Sequence, residues 1–283
     1  MPDFTFVTYA DLPGLDPDDR LAVAELERSG ATVGAEVWSD PAVDWSSAGT
    51  VVIRSTWDYH LRHDAFVAWV DHVAARTSLW NPAPLIRRNS VKTYLRELET
   101  RGVPVVPTAW LEQGMHCDVK RLLRDRRWEK AVIKPVVGLA TAGVRTIAPE
   151  DDGAQAHLDG LLRSGGVMVQ PFIPAVTSYG ERALVHIGGS YSHAASKVAF
   201  QPLANAGDAG EMAVVATPEE RAAADLALAT LDSPWLYARV DVVPDDTGRP
   251  LVLELELVEP TLFLALGDGA PKRFADALMA VAS

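Results

Sequence analysis

Two periods of apolar residues run through the chain, and their order gives the first view of its architecture. Alternation in FTFVTY (Phe4 to Tyr9) predicts a strand, and RLAVAELERSG predicts a helix closed by Gly30. TVGAEVW reads as a second short strand. The β-branched run Val51, Val52 and Ile53 makes a third, which stops at polar Arg54, Ser55 and Thr56. A helix follows, with Phe66, Trp69, Val70 and Val73 at helical spacing. This alternation predicts a small α/β domain, in which ligands would collect beyond the carboxyl ends of the strands, at Arg54 to Tyr59.

Beyond it, WNPAPLIRRNS (Trp80 to Ser90) reads as a proline-punctuated linker, and Ser90 as the cap of a helix, VKTYLRELETRG, ending at Gly102. VPVVPTAW is extended. KRLLRDRRWEK (Lys120 to Lys130) reads as the exposed basic face of a short helix that turns Leu122 and Leu123 inward. KAVIKPVVGLATAGVRTI predicts two strands joined by a loop carrying Gly138 and Gly143, and a helix is expected from about Glu150 to Arg163. VMVQPFI, RALVHIGG and YSHAASKVAF read as strands and EERAAADLALATL as a helix. LYARVDVVPDDTGRPLVLELEL closes the chain as a hairpin around the turn signal DDTG.

Composition narrows the field. A chain of 283 residues, 48% apolar and 23% charged, has the make-up of an ordinary globular protein of about two domains. No apolar run reaches the roughly 18 residues of a membrane span, and MPDFTFVTYADLPGLDPDD has no basic leader, so a cytoplasmic protein is expected. The single Cys117 excludes an internal disulfide and a thiolate-cluster metal site. A net charge of -12 argues against nucleic acid as a partner; any anionic ligand must be met by local lysines or a metal.

Three stretches carry candidate chemistry. In VIKPVVGLATAGV, Lys134 ends an apolar strand, and Gly138, Ala140, Thr141, Ala142 and Gly143 would let backbone N–H groups approach an anion. The pattern lacks the Gly-Lys-Ser/Thr of a Walker loop and also fits an ordinary hairpin. In VMVQPFIP, the run Gln170, Pro171, Phe172, Ile173 is either plain core or a hinge reading a purine edge. In VLELELVEP, Glu254 and Glu256 project from one face of a strand and Leu253, Leu255 and Leu257 from the other. The two carboxylates lie about 7 Å apart, and Asp241 on the preceding strand can face them, a donor set that suits Mg2+. The alternative is a polar, solvent-facing strand.

In this order the pieces resemble an ATP-grasp ligase, from about Trp80 to the end of the chain, similar in general plan to glutathione synthetase and the ribosomal-protein glutamate ligases. The family order is a helix-borne lysine, a strand lysine with a small-residue flap, a hinge, a ribose acid and an acidic metal set. Lys92, Lys134 with its flap, QPFI, Glu181, and Asp241 with Glu254 and Glu256 stand in these places. The resemblance implies a mixed α/β fold with three parts: an N-terminal domain over 1–82, a flap-bearing subdomain over 83–166, and a metal-bearing subdomain over 167–283. It implies ATP and two Mg2+ as cofactors. Lys92 and Lys134 would take the phosphates with the flap residues Gly138, Thr141 and Gly143; Gln170, Pro171, Phe172 and Ile173 would frame adenine, and Glu181 the ribose. Asp241, Glu254 and Glu256 would hold the metals. Glu256 departs from the asparagine usual in the family, and LVEP is one residue longer before its proline.

The implied activity joins a carboxylate to an amine through an acyl-phosphate, releasing ADP and phosphate. Arg239, Lys197 and Arg182 are expected to stabilise the charge that develops. Arg54, Ser55, Thr56, Tyr59 and Glu259 are expected to hold a small amino-acid-like substrate. RSTWDYH, GERALVHIGGSYSHAASK and ELELVEP further resemble the branch that includes D-cycloserine synthetases. In that branch the carboxylate and nitrogen belong to one molecule, O-ureido-D-serine, cyclised in antibiotic biosynthesis. An intermolecular amino-acid or dipeptide ligase, a small-molecule kinase and a non-catalytic nucleotide-binding protein are the alternatives. A homo-oligomer is left open.

Overall fold

A computed structural model describes residues 1–139, 141–197 and 210–282. Its first sheet contains β1 (Phe4–Thr8), β2 (Val33–Val37), β3 (Thr50–Ser55) and β4 (Leu79–Trp80) in the order β2-β1-β3-β4, all parallel. Parallel sheets need cover on both faces, and the side-chain alternation supplies two apolar surfaces. Phe4, Phe6 and Val52 pack toward α1 (Pro17–Arg28), capped by Asp16, while Val7, Val51 and Ile53 pack toward α2 (His63–Ala74). Phe66, Trp69, Val70 and Val73 are the buried stripe of α2, as their spacing predicts.

The linker expected at Trp80 to Ser90 is structured. Its first residues complete β4, and α3 (Ala83–Asn89) follows, started by Pro82 and Pro84 near its N-terminus, where a missing N–H costs nothing. Ser90 ends α3 instead of capping the next helix: its hydroxyl donates to Arg87 O. The next helix, α4 (Tyr94–Thr100), begins four residues later, so Lys92 sits in the turn before it. Tyr94, Leu95 and Leu98 pack into the core of the C-terminal sheet.

The second sheet holds β5 (Ala109–Leu111), β6 (Ala131–Pro135), β7 (Arg145–Ile147) and β8 (Val167–Pro171), in the order β5-β8-β6-β7, antiparallel. Two helices cover it, α5 (Val119–Arg126) and α6 (Ala154–Ser164). Leu123 is fully buried, Leu122 is half-buried against the same cluster, and the arginines of α5 face outward. α6 starts later than the sequence suggests because Asp151 is spent on Arg145 and on the Gly153 N–H.

After the short α7 (Ala175–Ser178) comes the third sheet: β9 (Glu181–Ile187), β10 (Ser190–Lys197), β11 (Met212–Val214), β12 (Tyr237–Pro244) and β13 (Pro250–Glu256). The order is β11-β10-β9-β12-β13, antiparallel. The expected continuation of β10 to Phe200 lies outside the described residues. Helix α8 (Pro218–Leu228), opened by a Thr217/Glu220 capping box, covers one face. The other is covered by α9 (Ala270–Ala282), which the pattern reading missed although Phe274 and Leu278 are spaced as one helical face. Phe274 also touches the first sheet, its ring 6.3 Å from Phe6 and 5.9 Å from Tyr237, so the two sheets share one core.

β13 is an edge strand; the backbone of Pro104 and Val106 bonds Val252 midway along it, and side chains meet its far end. Asn89 donates to Leu255 O and accepts from Leu257 N, Tyr94 Oη accepts from Leu255 N, and Asn81 donates to Leu257 O and Tyr237 O. Among the described residues no helix is long and apolar enough to cross a membrane.

Candidate active site

The acids of VLELELVEP find their partners through strand pairing. β12 and β13 run in a register that sets Arg239 opposite Glu256 and Asp241 opposite Glu254, with a bulge after Asp241. Because side chains alternate, these four share one face, while Val240, Val242, Leu255 and Leu257 enter the core behind it. On β9, Ala183 lies opposite Asp241, and Lys197 of β10 lies opposite Glu181. Lys197 therefore crosses β9 to bond Asp241, its Nζ lying 3.2 Å from Glu181 as well.

A lattice of ion pairs results. Arg239 grips Asp241 through Nε at 2.9 Å and Nη2 at 3.0 Å, and also bonds Glu256. Lys92 Nζ is 3.0 Å from Glu254 Oε2, and Lys134 Nζ is 3.9 Å from Oε1. Burial pushes the carboxyls of Asp241 and Glu254 up, but Arg239 and Lys197 on the first, and Lys92 and Lys134 on the second, outweigh it and hold both at about 2. At Glu256 burial and the neighbouring acids Asp241 and Glu254 prevail over Arg239, and its pKa is raised. Glu259 is pushed up to about 8 by burial and by Glu256, with Lys92 and Arg239 opposing. Burial works against the charged forms of Lys197 and Arg239, yet the acids around them raise both.

The donor set fits Mg2+ bound with a nucleotide. Among the described residues no three acids or histidines are gathered into a metal cage, and Asp241, Glu254 and Glu256 are each engaged by a cation. A triphosphate with Mg2+ would offer the complementary exchange, with lysines pairing to phosphate oxygens and carboxylates to metal, so that no buried charge would be left alone. Asp241, Glu254 and Glu256 are the oxygen donors such ions prefer.

The end of β6 reaches these acids from the second sheet. Lys134 and Pro135 end β6, and the N–H of Lys92 donates to Val136 O, which ties the segments carrying the two lysines together. Gly143 has φ +72, and a side chain there would meet Leu161 at 3.2 Å and Pro135 at 3.3 Å. Gly138 likewise packs on Pro135, so these glycines allow a tight fold-back as well as an open backbone. The Thr141 carbonyl accepts from Val144 N; Ala140 lies outside the described residues. At the hinge, Gln170 and Pro171 lie within the β6–β8 ladder, and the Gln170 side chain donates to Thr108 Oγ1 at 3.0 Å. Phe172 and Ile173 extend past it against Val106, Val243 and Leu253, and Lys130 Nζ stands 4.1 Å above the Phe172 ring.

Several expected roles are redirected. Arg182 alternates with Glu181 and Ala183 and so points away from the carboxylates; its guanidinium stacks 3.9 Å from the Tyr179 ring. Arg54 and Ser55, expected at an open substrate loop, are interior. Arg54 is 1% exposed and bonds Asp19 at 2.9 Å and Pro260 O at 2.8 Å, and Ser55 donates to Asp19 at 2.6 Å. Thr56 is buried, with no hydrogen-bond partner for its hydroxyl among the described residues. Tyr59 is buried in an aromatic cluster, where burial, Glu259 and Glu256 push its phenol up; this sets it beside the acids. The partners Asp19, Asn81, Asn89 and Tyr94 were not anticipated, since each acts on residues far away in the chain and lies in no motif.

Comparison with known proteins gives the family. The family model for the N-terminal domain of D-cycloserine synthetase DcsG matches residues 4–81. The cycloserine biosynthesis protein DcsG of Streptomyces lavendulae is 36% identical over 278 residues, 87% of this chain and 89% of the relative. The crystal structure of D-cycloserine synthetase DcsG aligns with TM-score 0.89 at 32% identity, covering 99% of both chains. The fold extends to the ATP-grasp ligase PsnB (TM-score 0.65, 18% identity, 100% of this chain and 99% of PsnB). It extends also to the D-alanine–D-alanine ligase of Bacillus anthracis (0.69, 15%, 100% and 97%). Mixed α/β in fold and an ATP-dependent ligase in class, the chain belongs to the D-cycloserine synthetase family of the ATP-grasp ligases.

Proposed function

We propose that this enzyme closes O-ureido-D-serine to D-cycloserine through an acyl-phosphate, at the carboxylate and cation lattice of β12, β13 and β10. The observation that carries the reading is the register placing Arg239 and Asp241 opposite Glu256 and Glu254, with Lys92, Lys134 and Lys197 converging on those acids. Kinship with DcsG along most of the chain supports the substrate.

Two steps are required for ring closure. The substrate carboxylate attacks the γ-phosphorus of ATP, the bond to the β-phosphate oxygen breaks, and ADP leaves. The substrate nitrogen then attacks the acyl carbon, phosphate leaves and the ring closes; water finally cleaves the carbamoyl group from that nitrogen as carbamic acid, which breaks down to ammonia and carbon dioxide. Both steps concentrate negative charge. Lys92 and Lys134 hold the nucleotide phosphates, with Gly138, Thr141 and Gly143 of the flap above them. Phe172 and Ile173 wall the adenine beside the backbone of Gln170 and Pro171, and Glu181 takes the ribose. Asp241, Glu254 and Glu256 would hold two Mg2+ ions, which would supply Lewis acidity to the phosphate oxygens. Arg239 and Lys197, which Asp241 holds in place, turn to the transferring phosphoryl group as that carboxylate is taken up by metal. Glu259 and Tyr59, on the same side, contact the substrate. The enzyme operates on a free small molecule.

ADP release measured over free amino acids, small peptides and O-ureido-D-serine, with products identified by mass, tests the reading. Turnover with O-ureido-D-serine alone and a ring product lacking the carbamoyl unit is expected. Turnover only with two separate amino acids would overturn the cyclisation, and a phosphorylated final product would make the protein a kinase.

A further inference from the structure

The segment from Val258 to Ala265 has no strand partner, and its only helical turn is a single 3-10 turn at Leu264–Leu266, yet it is almost wholly buried. Buried carbonyls need donors. Here six consecutive carbonyls lie within hydrogen-bond distance of five side chains from elsewhere, of which Tyr237 is shared with Ile53 O and His193 between two of the six. The Tyr237 hydroxyl lies 2.9 Å from Val258 O, the Trp57 indole N–H donates to Glu259 O at 3.3 Å, and Arg54 donates to Pro260 O at 2.8 Å. Arg239 donates to Thr261 O at 3.1 Å, and His193 Nε2 lies 2.9 and 3.0 Å from Leu262 O and Phe263 O. The next two N–H groups, of Leu264 and Ala265, donate to Asp18 at 2.9 Å each.

These pins have two origins. Tyr237, Arg239 and His193 belong to the sheet that carries the carboxylates, whereas Asp18, Arg54 and Trp57 belong to the N-terminal domain. Arg54 is itself anchored, by Asp19 and by its position 4.8 Å above the Tyr237 ring. The segment meets the lattice at Arg239, which holds Thr261 O with one nitrogen while the others hold Asp241 and Glu256.

We infer that Asp18, Arg54 and Trp57 are positioning residues, which make this segment a rigid wall and thereby fix Arg239 and Glu259 at the reacting centre without touching substrate. The inference rests on the reading that the lattice is where the chemistry occurs. It makes the N-terminal domain a mechanical part of the catalytic centre as well as a cover over it.

Trp57→Phe removes one N–H and keeps the ring, and Arg54→Lys keeps a charge for Asp19 but cannot also reach Pro260 O. Each would be compared with the wild-type enzyme by amide hydrogen exchange and by steady-state ADP release. Amides of Leu262 to Ala265 should exchange on the order of tenfold faster in the variants, with β12 and β13 unaltered. The kcat should fall roughly tenfold to a hundredfold, with KM for ATP within about twofold, since a small displacement penalises the transition state more than the bound nucleotide. Unchanged exchange overturns the inference. So does faster exchange with unchanged kcat below the melting temperature, which would make the pins merely structural. If the wild-type enzyme does not cyclise O-ureido-D-serine, that substrate reading fails by itself. The kcat comparison then runs on whichever acceptor releases ADP, or on basal ATP hydrolysis, and the same outcomes decide it.

Discussion

Replacing Glu259 by glutamine should flatten the pH dependence of stability. Glu259 is 6% exposed, and its carboxyl is pushed from the ordinary 4.5 to about 8 by burial and Glu256, against Lys92 and Arg239. Between about pH 4.5 and 8 the folded protein therefore binds a proton at this site that the unfolded chain releases, so stability falls as pH rises through that window. At about 1.4 kcal/mol per unit, the full loss approaches roughly 5 kcal/mol by pH 8. Glutamine mimics the protonated acid and has nothing to ionise. Wild type and Glu259→Gln should be similar near pH 5, and the variant more stable at pH 8 by several kcal/mol. Urea melts at pH 5, 6, 7 and 8, at fixed ionic strength and without nucleotide, would measure it. Asp18, raised to about 6 chiefly by burial, contributes its own decline between pH 4 and 6 to both proteins and cancels in the comparison. Parallel profiles would refute the argument, because they would mean that Glu259 ionises in the folded protein as freely as in water.

Three further outcomes are expected. Glu256→Gln should lower turnover at saturating Mg2+ and ATP by about a hundredfold, the scale for losing one group aimed at developing charge, and unchanged ADP release would remove Glu256 from the metal set. Arg182→Ala should leave turnover within about twofold and cost stability only on the scale of a lost cation–π contact, about 0.5–1 kcal/mol; a large kcat loss would return Arg182 to the catalytic centre. Gly267→Ala sets a Cβ 2.6 Å from the His193 ring and 2.8 Å from Ala270 Cβ, and should destabilise by about 1–3 kcal/mol in a denaturant melt. An unaffected midpoint there would show that His193 is less firmly held than its two carbonyl contacts imply.

What could be read in advance was what depends on near neighbours in the chain. The alternation of Glu254 and Glu256 with leucines is a property of one strand, and the DDTG turn sets Asp241 on its partner, so the acidic face was legible. The stripe of α2 was legible for the same reason. Ser90 failed as a cap because it ends one helix before the next begins, a distinction that local propensity does not make. Arg54 and Ser55 were misjudged because polar residues at a strand end look like a ligand loop, and nothing nearby announces Asp19, 35 residues away from Arg54, as their partner. Arg182 beside Glu181 was judged by its neighbours in sequence when the two side chains leave the sheet on opposite sides.

The clamp on β13 separates two properties that hairpins usually join. In most hairpins the turn sets the register, and one added residue there would turn every side chain of the second strand over. Here Asn89 and Tyr94 hold Leu255 and Leu257 at the far end of the strand, and Pro104 and Val106 exchange hydrogen bonds with Val252 midway along it. The alignment of Glu254 with Asp241 is thus written into the helical segments before the sheet, and the Asp245–Arg249 turn is relieved of it. A residue inserted in that turn should therefore leave Glu254 in place on β13.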